Sequence, residues 1–384
     1  MPIAFRRSLV ASVLAVIATV PGLRLTAQSL TLPPSGDNQK ASVSQWIGPV
    51  ELSITYHSPD VTAPNGQDRR GKIWGELVPW GYANLGFGTC GDKCPWRGGA
   101  NENTVFSTSE DIEVEGKPLP AGSYGLHFLP GKDEWTVIFS KNSTSWGSFF
   151  YHEEEDALRV TVKPVTHPYT HWLTYEFVDR ETDHATAQLQ WEDLAVPIKV
   201  SVPKVDDLYV AALRRELRDS PGFQNENWVN AAQFALDRKA NLAEGLKWAE
   251  SAVSDPFHGR SNFTTLMLLG DLQEANGKGA EAAVTHQKGL DDPSATAQEI
   301  HNYARGLQGQ GKKDEAVRVF LFNAKRFPNQ WPVQVGLVRA YSAQGKFADA
   351  IRAAKAGITA APNDGAKRNL QAMLAKLEKN EDVN

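Results

Sequence analysis

Cys90 and Cys94 are the only cysteines in a chain of 384 residues, and their spacing can serve either a short disulfide ring or half of a zinc site. A structural zinc ion asks for about four ligands. No second paired motif supplies them, so a disulfide is expected if the chain meets an oxidising compartment. Gly91-Asp92 provides the tight reversal, and closing so short a ring restrains the unfolded chain by about 2 kcal/mol. The surrounding stretch, GFGTCGDKCPWRGGANENT, also spells Gly-x-Gly-x-x-Gly at Gly86, Gly88 and Gly91. Phosphate binding by that pattern needs a helix behind the glycines, and Pro95 would break one, so the stretch reads as a loop. Arg97, Asn101 and Glu102 follow it, with Trp80 and Trp96 nearby. Aromatic planes beside convergent donors and acceptors are the equipment for gripping a sugar or a peptide.

Glu102 and His127 are the acid/base candidates for hydrolysis, provided that they converge with Arg97 in one cleft. His167 and His171 have the spacing of a helical metal pair, but Pro168 and the strand-rich surroundings turn them into an exposed loop pair. His152 with Glu153, Glu154, Glu155 and Asp156 has oxygens enough for calcium, yet reads more simply as a solvated acidic turn. No cofactor or metal site is expected. There is no nucleophile elbow, no His-Glu-x-x-His helix and no phosphate loop, so the residues favour a binding protein over an enzyme.

Residues 1–27 follow a secretory plan: Arg6 and Arg7, an apolar run from Leu9 to Val20, Pro21-Gly22, then a small-residue exit at Ala27. The apolar run is too short to span a bilayer, so a cleaved signal and a mature chain without a membrane span are expected. The protein is then exported, to the periplasm or outside the cell. A formal net charge of −5 with no like-charge block offers nothing for nucleic acid to hold.

A flexible linker over 28–45 leads into 46–203, where the pattern has period two. Leu158, Val160 and Val162 alternate with polar residues, as do Leu173, Tyr175 and Phe177. Ala187, Leu189, Trp191 and then Val196, Ile198, Val200, Val202 continue it. Turns such as Glu115-Gly116-Lys117 and Pro130-Gly131-Lys132-Asp133 separate the runs, which predicts an antiparallel β-sandwich. Over 204–384 the spacing becomes helical and repeats: Gly277-Lys278, Gly311-Lys312 and Gly345-Lys346 recur every 34 residues. Each pair precedes an acidic residue and alanine, and Pro293, Pro328 and Pro362 close the units. This is the period of tetratricopeptide-type helix pairs, an α-solenoid suited to docking a protein partner. A looser unit runs from Trp228 to Pro256, and a helix from Ala366 to Lys379 reads as the cap.

The segments GKIWGELVPWG from Gly71, GANENTVFSTS from Gly99 and VEGKPLPAGSYGLHFLPGKDEWTVIFSKNSTSWG from Val114 resemble the bacterial family known as domain of unknown function 2911. EEDALRVTVKP, ending at Pro164, and WLTYEF from Trp172 extend the likeness over roughly residues 40 to 203. The resemblance implies an exported β-rich domain and carries over no catalytic residues. Tyr82 to Pro95, with both cysteines, form an insert relative to that family. The chain therefore reads as an exported binding or scaffold protein, its β-sandwich recognising a glycan or peptide, with an envelope polymer hydrolase as the alternative.

Overall fold

The computed structural model describes residues 35–328 and 330–384, so the expected signal peptide and the start of the linker lie outside the described residues. The chain divides into two compact units, the first ending at Ser201 and the second made of Val202–Asn384 together with Ile47–Pro49.

The first unit is an antiparallel β-sandwich. One sheet has six strands: β1 (Gln39–Ile47), β2 (Val50–Ser58), β3 (Thr104–Thr108), β6 (Gly122–Leu129), β7 (Trp135–Ser140) and β8 (Asp156–Val162), in the order β1-β2-β3-β6-β7-β8. The second sheet runs β5-β4-β10-β9, from β4 (Ile112–Val114), β5 (Lys117–Leu119), β9 (Val165–Val178) and β10 (His184–Ser201). Residues 39–45, expected in the linker, belong to edge strand β1. Its burial alternates only weakly, because an edge strand buries little of either face, and that left the sequence without a clear period-two signal.

Alternating burial along β2 and β3 sends Leu52, Ile54 and Phe106 inward, as period-two side chains must go when one face is wet. Tyr56 of β2 meets Tyr175 of β9 at a ring separation of 4.8 Å, and its hydroxyl accepts the Tyr175 N–H. Glu115 and Gly116, both at positive φ, make the β4–β5 reversal where the sequence expects one. In β10 the buried parity changes, from Ala187, Leu189 and Trp191 to Val196, Ile198 and Val200. Register shifts on either side of Glu192, which sits at φ 53°, mark the bulge that re-phases the strand.

The second unit holds ten described α-helices: α1 (Val205–Glu216), α2 (Asn225–Arg238), α3 (Leu242–Ser254), α4 (Phe263–Ala275), α5 (Gly279–Asp291), α6 (Ala297–Gly309), α7 (Lys313–Arg326), α8 (Trp331–Ala343), α9 (Phe347–Thr359) and α10 (Asp364–Leu377). The recurring glycines Gly277, Gly311 and Gly345 occupy the turns inside the α4–α5, α6–α7 and α8–α9 pairs at φ between 69° and 80°, a region that penalises any Cβ. The alanine after each acidic residue (Ala282, Ala316, Ala350) is buried where the paired helices cross. In the looser first unit, α2 and α3, Gly245 does the same job against Ala235. The capping helix buries Leu370, Met373 and Leu377 as its pattern requires.

Candidate functional site

The connection from β2 to β3, residues 59–103, contains no strand, yet it is fastened at many points. Val61 donates to the His171 carbonyl, Gly81 to the Pro130 carbonyl, and Trp96 exchanges both backbone bonds with Phe128. Glu192, at the β10 bulge, accepts the Gly71 N–H at 2.6 Å, and burial raises its carboxyl above the usual range. These anchors bring Trp74 and Trp96 onto Trp135 of β7 and Trp191 of β10. Trp74 stands edge-on to the other three at 5.2 to 5.8 Å, and Trp96 and Trp191 lie nearly parallel, 14° apart. Edge-to-face geometry suits the aromatic quadrupole, and such pairs contribute about 0.5–1.5 kcal/mol each beyond area burial.

A cleft of about 400 Å³ opens over this cluster. Trp96 and Trp191 form part of its wall, Leu77 and Pro79 its apolar side, and Arg69 and Arg97 bring positive charge to it. The Arg97 side chain donates to the Asn101 carbonyl and stacks under the Phe149 ring, 4.9 Å from its centroid. Gly147 packs so closely that a Cβ there would collide with the guanidinium. Among the described residues no carboxylate pairs with Arg97, and burial holds its pKa below the usual arginine value. Arg69, among the described residues, likewise donates to carbonyls, those of Asp60 and Val61.

Of the residues expected to share one patch, the structure brings Trp96, Arg97 and Asn101 together on the cleft. Trp80 is instead folded over Gly75, 41% exposed, while its neighbours Pro79 and Gly81 line the cleft. Glu102 turns away to sit 3.0 Å from the His57 ring. His127 is buried on β6, its Nδ1 hydrogen-bonded to the Ser148 hydroxyl at 3.0 Å, and burial followed by the Arg97 charge lowers its pKa to about 3. The hydrolase arrangement is therefore not formed: its acid and base hold separate partners, and His127 has no access to solvent. Ser148 beside His127 was not visible from the sequence, and buried at 1% exposure it orients the ring rather than attacking a substrate. Arg69 and Trp191 were also missed as site residues; the only sequence signal for Arg69 is its place in the same long loop.

In the insert, Cys90 and Cys94 are joined by a disulfide and pack on Ile138 and Tyr151. Ala83 and Cys94 exchange backbone bonds, making the insert a small hairpin, and Phe87 stacks on Phe149 at 4.3 Å. The stacked rings thus continue the layer that covers Arg97. Gly86, Gly88 and Gly91 all take positive φ in this loop, and no helix follows them. The acidic run folds as a short 3-10 helix, Glu153–Glu155, while Asp156 is taken by Arg159 and the Tyr151 hydroxyl. His167 and His171 lie on strand β9, not in a loop. His171 faces Asp60 at 3.7 Å, and the His167 ring bonds to the Pro168 carbonyl. No group of three or more potential metal ligands is assembled among the described residues.

On the helical unit, Arg305 and Arg339 come from neighbouring first helices of two pairs, α6 and α8. The chain's last residues lie against them. Arg339 donates to the Val383 carbonyl, Ser342 to the Asp382 carboxylate, and Gln308 to Asn384. Burial and the Arg305 charge lower the Arg339 pKa to about 10, and burial with the same two arginines lowers His301 to about 4.

The four-tryptophan cluster and its anchoring loop fall within residues 38–200, which match a family model described as "Protein of unknown function (DUF2911)". Apart from Ile47–Pro49, the match lies within the first unit. No curated protein matches the chain. Among solved structures it is similar to one titled "Functional Characterization of Pseudomonas Aeruginosa pilF", at 18% identity over 42% of this chain and 70% of that one, with a TM-score of 0.29. It is also similar to a tetratricopeptide repeat protein from Parabacteroides merdae, at 16% identity over 46% of this chain and 69% of that one, TM-score 0.29. No helix among the described residues is long and apolar enough to cross a membrane.

Proposed function

We propose that this is an exported binding scaffold, periplasmic or extracellular, whose first unit recognises a ligand in the tryptophan-walled cleft and whose helical repeats dock a protein partner. The cleft carries the reading: a cavity lined by Trp96 and Leu77 beside a guanidinium unpaired with any described carboxylate is costly to leave open and is the form that ligand sites take. A disulfide in the loop beside it supports an oxidising compartment. The repeat unit supports the docking role, since stacked helix pairs present an extended face built for another chain. A glycan fragment or a short peptide is the proposed ligand class.

The test titrates the full chain with a panel of oligosaccharides and short peptides, read by calorimetry and tryptophan emission. A Leu77→Asp variant, which places a charge at the cleft's exposed apolar side, serves as the control. Saturable binding lost in the variant, with the melting temperature unchanged, is the expected result. Binding that persists undiminished in the variant would move the site elsewhere.

A further inference from the structure

We infer that the cleft selects a ligand bearing one carboxylate beside an apolar or aromatic body. This rests on the reading of the cleft as a binding site and adds the charge of its occupant. Among the described residues, the charged side chains lining the cleft are Arg69, Arg97 and Asp60, so two positive charges face one negative charge and one positive charge is left over. His171, which faces Asp60 at 3.7 Å, is outside the lining. Arg69 and Arg97 spend their described hydrogen bonds on backbone carbonyls, which leaves further N–H groups of each planar fork for a guest. A guanidinium fork matches a carboxylate with two parallel bonds, and the partial desolvation of Arg97 strengthens that attraction. A dianion would bring a second charge towards Asp60 with nothing to balance it. Half-buried Trp96, with Trp191 packed nearly parallel to it at the cleft's base, and exposed Leu77 offer apolar surface to the neutral body of the guest.

The disposition of Arg97 also reads as preparation for an anion. Phe149 covers one side of its guanidinium, Gly147 leaves no room for it to swing back, and the Asn101 carbonyl holds one end. Asn101 itself sits at φ 56°, a strained region for a residue with a side chain, in the turn that delivers this carbonyl. The charge is thus fixed in place before any guest arrives, which lowers the ordering cost of binding.

The test compares three probes that share one body: 4-phenylbutyrate, its neutral amide, and 4-phenylbutyl phosphate. They are titrated calorimetrically into the oxidised full chain and into the Arg97→Gln, Arg69→Gln and Leu77→Asp variants. The acid should bind at least tenfold tighter than the amide and tighter than the phosphate. Arg97→Gln should bring acid and amide to the same affinity, and Leu77→Asp should abolish both. If Arg97→Gln does not fold, Arg69→Gln and a rise in salt concentration take its place, and each should shrink the acid's advantage. Acid and amide binding equally, with both lost in Leu77→Asp, would overturn the charge selection and leave the cleft standing. A phosphate that binds tightest would overturn the single-charge count, and failure of all three probes would overturn selection and cleft together.

Discussion

His127 is kept neutral by burial on β6 and by the nearby Arg97 charge, its pKa lowered to about 3. In the unfolded chain the same ring takes up a proton near the ordinary value of about 6.5. Between those values the unfolded state binds the extra proton, so this residue's contribution is fully present above about pH 6.5 and is lost as pH falls towards 3. The loss between pH 7 and 4 is on the order of 3 kcal/mol. Urea midpoints at the two pH values should show a large drop for the native chain and a smaller one for His127→Gln; an equal drop would place the acid sensitivity in other groups. Trp96 calls for a different expectation than its sequence context gives. Flanked by glycine and proline in a loop, it reads as an exposed gripping surface whose removal costs little stability. Its ring in fact meets Trp74, Phe128, Trp135 and Trp191. Trp96→Ala should therefore cost about 3 kcal/mol in urea denaturation as well as any binding, because it opens a void in an aromatic cluster. The contacts that decide this come from β6, β7 and β10, far apart in the chain, and no local pattern around residue 96 encodes them.

The elements were the most legible part of the sequence where one face is wet. Leu173, Tyr175 and Phe177 alternate because β9 is half-buried there, and the parity change along β10 can be read as a bulge once two runs of opposite phase are seen to be one strand. The helix pairs declare themselves through a fixed period with glycine in each turn. Gly311→Ala tests that turn: at φ 80° with open space around it, the added methyl meets no neighbour, and only backbone strain opposes it. The cost should be about 1–2 kcal/mol by thermal melting of the repeats, and an unchanged melting temperature would show that the turn relaxes freely. The long β2–β3 connection was least legible, since its order depends on single anchors such as Glu192 to Gly71 and the Phe128 bridge rather than on any period. Within it, the insert is closed by Cys90 and Cys94. Mass measurement of the native protein should show a gain of two hydrogens on reduction, and replacing both cysteines by serine should lower stability by about 2 kcal/mol. Two free thiols in the native protein would remove the staple from the account of the cleft rim.

At the scale of the whole molecule, separate sets of buried apolar residues serve the sheets and the helices. Cleavage near residues 203 to 207 should release two pieces that fold alone, the second with a helical circular dichroism spectrum. A first piece that stays unfolded would mean that the repeats complete its core. The spectrum of that first piece will not be that of a plain β protein, and the reason lies in its indoles. Four tryptophans with ring centroids 5.2 to 6.4 Å apart in five of their six pairings, several nearly perpendicular, form a set of chromophores whose coupled excitations should give a paired positive and negative band. That band adds to the peptide signal, so helix and sheet contents fitted to the intact chain will be skewed unless it is subtracted. The same band is an optical label for the cleft wall: it should change when a guest settles against Trp96, and fade when the wall loosens, while the helical signal of the repeats stays as it was.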